Sequence, residues 1–396
     1  MKKLLLIVIV WSLTLMISGE NKQIEMFEKF KGGVPGELEN EVIIPFELQR
    51  SHVIEIQTVI KDKSFTMIMD TGGMTMLEKS INDSLGFETI EIPQQNVTMA
   101  IVDEIKLGTA SVSGMKVALI EFNDTFKFEL PGMIGSDCLR FFNVEIDYAK
   151  QNITLRNPGK MVQENKSEHL IDIEMLPPYF PTVNLNINGK HNFPGLIDTG
   201  LHYAFVFPIS WLKNLSETEK KNLIESEGYF ARWPWDESPK NYFYLMPEIK
   251  LGDLVLKDVP VIFGEVPVFL NNSTTLIGKY FLENYLTTID YPNRQVKFTD
   301  VERTDYSLRY SAGINVAKKD EKLQITGVWK NSPAYEAGIT TQNELITING
   351  KNFNEISDQE ISDILMNKKT IKFYLKIVRD GKEEEFLLRK RDLFEE

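Results

Sequence analysis

Two tripeptides hold the most chemical promise in this chain of 396 residues. Asp70-Thr71-Gly72 follows the apolar pair Ile68-Met69, and Asp198-Thr199-Gly200 follows Leu196-Ile197. An apolar pair running into Asp-Thr-Gly puts a carboxylate on a tight loop straight after a buried strand, where glycine allows close backbone approach. One such loop could be a side-chain-capped turn and nothing more. Two in equivalent positions can face each other, and a pair of carboxyls holding one proton supplies an acid and a base together. Other chemistries have thin support. The four histidines, His52, His169, His191 and His202, show no H-E-x-x-H or comparable ligand spacing. Cys138 is the single cysteine, so neither an intrachain disulfide nor a cysteine-cluster zinc site can form. No G-x-S-x-G elbow nominates a serine nucleophile. No metal and no cofactor are expected.

The equivalence of the two aspartates rests on an internal repeat of three signatures in one order. After the Asp-Thr-Gly pair comes Glu104-Ile105-Lys106-Leu107-Gly108, matched residue for residue by Glu248-Ile249-Lys250-Leu251-Gly252. The third is Met133-Ile134-Gly135, matched by Leu276-Ile277-Gly278. Eleven residues beyond each of these last glycines stand Ile146-Asp147-Tyr148 and Ile289-Asp290-Tyr291. The second copy has sixteen more residues between its first and second signatures, among them the aromatic stretch from Tyr229 to Tyr244.

The elements that must position these residues read as β. Val53 to Val59 and Thr182 to Ile187 alternate apolar and polar residues with the period of half-buried strands. Asn188-Gly189 and Pro292-Asn293 are turn signals between strands. Asp147 and Asp290 recur in register, but each precedes a polar turn, and hairpin chemistry explains them better than catalysis. The expected organisation is a signal peptide over 1–20, an N-terminal extension or pro-segment over 21–40, lobes over 41–160 and 168–300, and an α+β module over 308–392. Met1-Lys2-Lys3, the apolar run Leu4 to Ile17 and the small Ser18-Gly19 form an export signal, with an uncleaved anchor as the alternative. The expected location is therefore periplasmic, secreted or cell-envelope associated. The formal net charge of −13 argues against nucleic acid as a partner.

The paired signatures resemble those of the retropepsin-like and pepsin-like aspartic proteases over residues 40–300. That resemblance implies two tandem acid-protease β-barrel lobes in one chain, forming a pseudo-two-fold cleft and acting as a monomer with intramolecular lobe pairing. It implies Asp70 and Asp198 as the catalytic dyad of an endopeptidase, activating water by general acid–base catalysis against a polypeptide substrate. Thr71 and Thr199 would cross-link the two loops, and Gly72 and Gly200 would permit their geometry. Met133, Ile134, Gly135, Leu276, Ile277 and Gly278 would form the strands packed beside them. The chain departs from the family at Gly73 and Leu201, where Ala, Ser or Thr is usual. A flap is expected between residues 88 and 102, with its tip at Pro93 to Asn96. Trp233, Trp235 and Tyr242 are either a peptide subsite or a core face, and His202 is read as a satisfied histidine rather than a dyad partner.

Residues 308–392 resemble a PDZ domain of the bacterial protease-associated type, through Gly327 to Ile339 and Leu345 to Lys351. A helix near Ser357 to Met366 and a strand near Ile371 to Val378 are expected, with Gln342-Asn343 where the family usually has Gly-Asp. The resemblance implies that Gly313, Ile314, Asn315 and Val316 receive a peptide C-terminus as an added strand. The main alternative for the whole chain is a catalytically inactive protease-fold protein that binds polypeptides in the cell envelope. Carboxylate-driven glycoside hydrolysis is a third reading, but it leaves the Asp-Thr-Gly repeat unexplained.

Overall fold

A computed structural model describes residues 32–92, 97–121, 123, 130–231, 240–267, 270, 273–302 and 307–395. The export signal, the expected flap tip at Pro93 to Asn96, and Trp233 and Trp235 lie outside the described residues. The chain is mostly β, with two closed six-stranded barrels and a C-terminal α+β module. It divides into two compact units. The first holds residues up to His202 with Lys250–Val255 and Pro267–Glu302, and the second holds Tyr203–Ile249, Leu256–Val266 and Arg303–Glu396.

The first unit contains lobe one, built from β1 (Val42–Gln49), β2 (Val53–Ile60), β3 (Lys63–Asp70), β4 (Met76–Glu78), β5 (Thr89–Ile92), β6 (Val97–Leu107), β7 (Ala110–Ile120) and β8 (Gly132–Gly135). Strands β2, β3, β8, β4, β7 and β6 are neighbours in that order, and β6 returns to β2 through Val59↔Lys106 and Ile60↔Ile105. Closure leaves no open edge among these six, and their inward residues fill the barrel. Ile54, Ile56, Ile60, Met67, Val102, Ile105, Val112 and Val117 are buried there. Residues 34 and 35 pair with β7 (Val34↔Ser113), so the described end of the N-terminal extension is laid on lobe one. The hairpin β5–β6 spans the region expected to hold the flap, with Thr89↔Ala100 through Ile92↔Val97 in register.

Two more hairpins in this unit join the copies of the repeat. They are β9 (Asn143–Asp147) with β10 (Asn152–Arg156), and a later pair ending at Asp300. Before that pair the chain forms β11 (Phe180–Ile187), β12 (His191–Ile197), β13 (Phe205–Pro208), β14 (Ile224–Gly228), β15 (Tyr242–Leu251), β16 (Leu254–Gly264) and β17 (Thr275–Ile277). The later hairpin is β18 (Tyr285–Asp290) with β19 (Gln295–Asp300). Strands β9 and β18 run antiparallel from Asn143↔Asp290 to Ile146↔Thr287. Equivalent positions of the two copies thus cross about a local two-fold axis. Asp147 and Asp290 take the turn roles expected of them: Asp147 accepts from the Lys150 amide at 2.9 Å and Asp290 from the Asn293 amide at 3.0 Å. Asp290 goes further, because its buried carboxylate also accepts from Asn143 Nδ2 at 3.3 Å and the Gly159 amide at 3.1 Å.

The second unit contains β13, β14 and most of β15 and β16, together with the C-terminal module. That module comprises β20 (Ile314–Lys319), β21 (Lys322–Trp329), β22 (Glu344–Ile348), the helix Asp358–Met366, β23 (Lys372–Arg379) and β24 (Lys382–Arg389). Ser357 caps the helix in a capping box with Glu360. The expected helix and the strand expected near Ile371 to Val378 are therefore present.

Candidate active site

Each aspartate stands at the end of a strand that lies parallel to the apolar-apolar-Gly strand of its own repeat. In lobe one Ile68 pairs with Met133, Met69 with Ile134 and Asp70 with Gly135. In the second copy Gly195 pairs with Thr275, Leu196 with Leu276 and Ile197 with Ile277. These strands are apolar on both faces because both faces are covered, as in parallel sheets generally. The chain therefore leaves a dry strand at each aspartate, and the Thr-Gly that follows must make the turn.

The two turns are tied to each other by their threonines, both fully buried. The Thr71 amide donates to Thr199 Oγ1 at 3.0 Å, and the Thr199 amide donates to Thr71 Oγ1 at 3.1 Å. Thr71 Oγ1 in turn donates to the Ile197 carbonyl at 2.7 Å, and Thr199 Oγ1 to the Met69 carbonyl at 3.4 Å. Each hydroxyl thus accepts from the opposite loop and donates to the strand behind it.

The glycines bring the carboxyls together. A Cβ at Gly72 would lie 2.6 Å from Asp198 Cγ, and one at Gly200 would lie 2.6 Å from Asp70 Oδ2. No side chain fits at either position without displacing the opposite carboxyl. The Gly72 amide donates to Asp70 Oδ1 at 2.8 Å. The Gly200 amide bridges the pair, 3.1 Å from Asp70 Oδ1 and 3.0 Å from Asp198 Oδ1. Burial raises the proton affinity of both carboxyls. Asp198 is held well above the usual carboxylate range by burial first and then by the charge of Asp70. For Asp70 the rise from burial is opposed by hydrogen bonds from the Gly72 amide, Asp198 and the Gly200 amide. The pair therefore retains a proton that an exposed carboxylate would release, with Asp70 the partner better suited to carry charge.

Leu201 does not distort the second loop. Its amide donates to the Asp198 carbonyl at 3.2 Å, as the Gly73 amide does to the Asp70 carbonyl at 3.2 Å. Its carbonyl accepts from the Lys279 amide at 2.8 Å, matching the bond from the Ser136 amide to Gly73 O at 2.9 Å. The Leu201 side chain is buried. Gly73 is fixed by its neighbour, since a Cβ there would come within 2.4 Å of Met133 Sδ.

Behind the loops lie residues that sequence reading passed over. Ser136 Oγ donates to the Thr71 carbonyl at 2.6 Å and is 3.0 Å from the Tyr291 hydroxyl. Its counterpart after the second Gly is Lys279, which forms a buried ion pair with Glu283 at 2.6 Å. The repeat itself pointed to these, because Tyr148 and Tyr291 recur beside the aspartates dismissed as turn formers. Asp137 Oδ1 accepts from the Thr75 amide and hydroxyl, both at 2.7 Å, and Cys138 beside it is fully buried, its thiol pushed up by burial and by Asp137. His202 is half-buried, stacked on His52 at 4.8 Å and tilted on Tyr280 at 4.5 Å. Burial lowers the pKa of both histidines, that of His52 to about 4.

In the C-terminal module β20 pairs with β21 from Ile314↔Val328 to Lys319↔Lys322, with a register shift between Asn315 and Val316. Among the described residues its other edge takes no strand. Of the four residues expected to receive a peptide, Gly313 is already engaged: its amide donates to Ser311 Oγ at 2.9 Å and its carbonyl accepts from the Trp329 amide at 2.8 Å. Ile314 and Val316 are buried, while Asn315 turns a half-buried amide side chain to Thr326 Oγ1 at 2.8 Å.

The PDZ-domain family model matches residues 301–378. The C-terminal module is thus a PDZ domain, and PDZ domains commonly bind peptides. No curated protein matches the chain.

Proposed function

We propose that this chain is an exported aspartic-type endopeptidase whose dyad is Asp70 and Asp198, with its PDZ domain binding a peptide or a partner protein. The observation that carries the reading is the Gly200 amide, which donates to both carboxyls and aligns their Oδ1 atoms. A turn-forming aspartate does not need to share an amide donor with its equivalent from another loop. Two carboxyls sharing a proton are what hydrolysis of an amide asks for.

In the proposed reaction a water held between the carboxyls attacks the carbonyl carbon of the scissile bond. Asp70, as carboxylate, takes a proton from the water, and Asp198 gives its proton to the carbonyl oxygen, which leaves a neutral gem-diol. The proton on Asp70 then passes to the amide nitrogen, the C–N bond breaks, and Asp198 recovers a proton from the diol. The dyad ends as it began, with one proton. Export is proposed from Met1-Lys2-Lys3 and the apolar run after it.

The alternative is an inactive protease-fold binding protein; the backbone bonds of Leu201, which match those of Gly73, favour the endopeptidase reading. The experiment is cleavage of a mixed peptide library by the full chain from pH 4 to 7, with Asp70→Asn, Asp198→Asn and a pepstatin-type inhibitor as controls. Wild-type cleavage, blocked by inhibitor and lost in both variants, is expected. Full activity in either variant would remove the mechanism.

A further inference from the structure

We infer that the PDZ domain is an effector site for lobe two, acting through the single strand β14; peptide bound at the PDZ domain alters the β14–β15 hairpin and, on the endopeptidase reading, the rate of cleavage. A module held by a flexible tether would show no shared secondary structure. Here a strand of five residues serves two sheets. Its first half pairs with β15, Ile224↔Phe243 and Glu225↔Tyr242. Its second half pairs with PDZ strand β21, Ser226↔Trp329, Glu227↔Val328 and Gly228↔Gly327.

The seam has the character of a core. Phe230 stacks on Trp329 at 3.9 Å and 12°, Trp329 on Phe243 at 5.2 Å, and Phe394 packs on Phe243 at 4.8 Å. Trp329, Val328 and Phe243 are fully buried. Glu227 Oε1 accepts from the Thr341 amide at 2.9 Å and its hydroxyl at 3.1 Å. Asn315 lies on β20, the edge to which a peptide would add, and its Nδ2 donates to the carbonyls of Tyr229 at 3.4 Å and Phe230 at 3.5 Å. The ligand edge is therefore one side chain away from the segment that continues β14.

The hairpin so held has a particular place in the repeat. Phe243 and Tyr242 stand five and six residues before Glu248, as Met99 and Thr98 stand before Glu104. Ile224↔Phe243 and Glu225↔Tyr242 are thus the same rungs as Ile90↔Met99 and Glu91↔Thr98. Strand β14 is the lobe-two counterpart of β5, the outer strand of the hairpin expected to act as the flap. A shift in β20 on ligand binding reaches this hairpin through backbone pairing rather than through a linker.

The test uses the full chain and an equimolar pool of hexapeptides ending in Val, Leu, Ile or Phe with a free carboxylate, against the same pool amidated. Amide exchange over 224–231 and 241–246 is followed alongside cleavage of a short, C-terminally amidated fluorogenic substrate that offers no terminal carboxylate. The free-carboxylate pool should bind, slow exchange in both segments and change kcat/KM about fivefold or more, and the amidated pool should do neither. Glu227→Ala should bind the pool normally and show a smaller response; Phe230→Leu, which keeps apolar volume, should do the same. Binding without any exchange response in 224–231, an exchange response with unchanged kcat/KM in a cleaving enzyme, or no binding by any member of the pool overturns the inference. An exchange response in a protein that cleaves nothing removes the peptidase reading and leaves the coupling standing.

Discussion

The threonine cross-link can be tested by a double-mutant cycle, because its two halves are unequal. Thr71→Val removes the 2.7 Å bond donated to Ile197 O and leaves the Thr199 amide without its acceptor. Thr199→Val leaves the Thr71 amide without its acceptor but gives up only a 3.4 Å bond to Met69 O. A buried orphaned N–H costs about 1–3 kcal/mol and a good lost hydrogen bond about 1 kcal/mol. Both sites are fully buried, so little of this is returned by water. Thr71→Val should therefore destabilise by roughly 2–4 kcal/mol and Thr199→Val by roughly 1–3 kcal/mol. The double variant should cost less than the sum by about 0.5 kcal/mol or more, because once one loop has moved the second cross-bond is already weakened. Urea unfolding followed by several probes, with amide exchange at Thr71 and Thr199, measures all four corners. Thr71→Ser and Thr199→Ser should stay within about 0.5 kcal/mol of the parent. A loss under about 0.5 kcal/mol in either valine variant, the reverse order of severity, or strict additivity would refute the reasoning.

Further outcomes follow from the same geometry. Gly200→Ala drives a Cβ towards Asp70 Oδ2 and should cut cleavage and pepstatin-type inhibitor binding about 100-fold or more while the protein remains folded by circular dichroism. The raised proton affinity of Asp198 means that the native state binds a proton the unfolded chain has released, a contribution present at low pH and lost as pH rises. Asp198→Asn should thus gain on the parent between pH 4 and 7, by at most about 1.4 kcal/mol per pH unit in urea unfolding. His52 works in the opposite sense: with its pKa lowered to about 4 it stays neutral when the unfolded chain protonates near 6.5, so stability is lost as pH falls through that window. His52→Asn should remove that acid sensitivity, worth at most about 3 kcal/mol between pH 6.5 and 4. Lys279→Met leaves Glu283 buried without its cation and should cost about 3–5 kcal/mol, whereas Lys279→Met with Glu283→Leu should return most of it.

How much of this was legible in the sequence depended on whether a residue's role was local. The Asp-Thr-Gly loops, the strands beside them and the turns at Asn188-Gly189 and Pro292-Asn293 follow from patterns a few residues long, and the repeat gave the pairing of Asp70 with Asp198. Leu201 is a departure from the family when only side chains are compared, but its backbone makes the bonds that Gly73 makes. The meeting of Ser136 with Tyr291 has no local signal because the two stand 155 residues apart, and Lys279 with Glu283 four residues on reads in the sequence as an ordinary helical ion pair, although both side chains are buried. Strand β14 was illegible for another reason. Ile224-Glu225-Ser226-Glu227-Gly228 has one branched residue, Ile224, followed by small and charged residues that carry little strand preference, and it is held by two sets of neighbours, β15 and β21, that its own residues do not announce.

Cys138 gives the molecule a use that its chemistry would not suggest. A lone thiol that is fully buried and held protonated reacts with disulfide or maleimide reagents only when lobe one opens around it. The untouched protein thus contains a single-site clock, and its labelling rate reports how often the short helix Ser136–Leu139 that follows Gly135 comes apart from its surroundings.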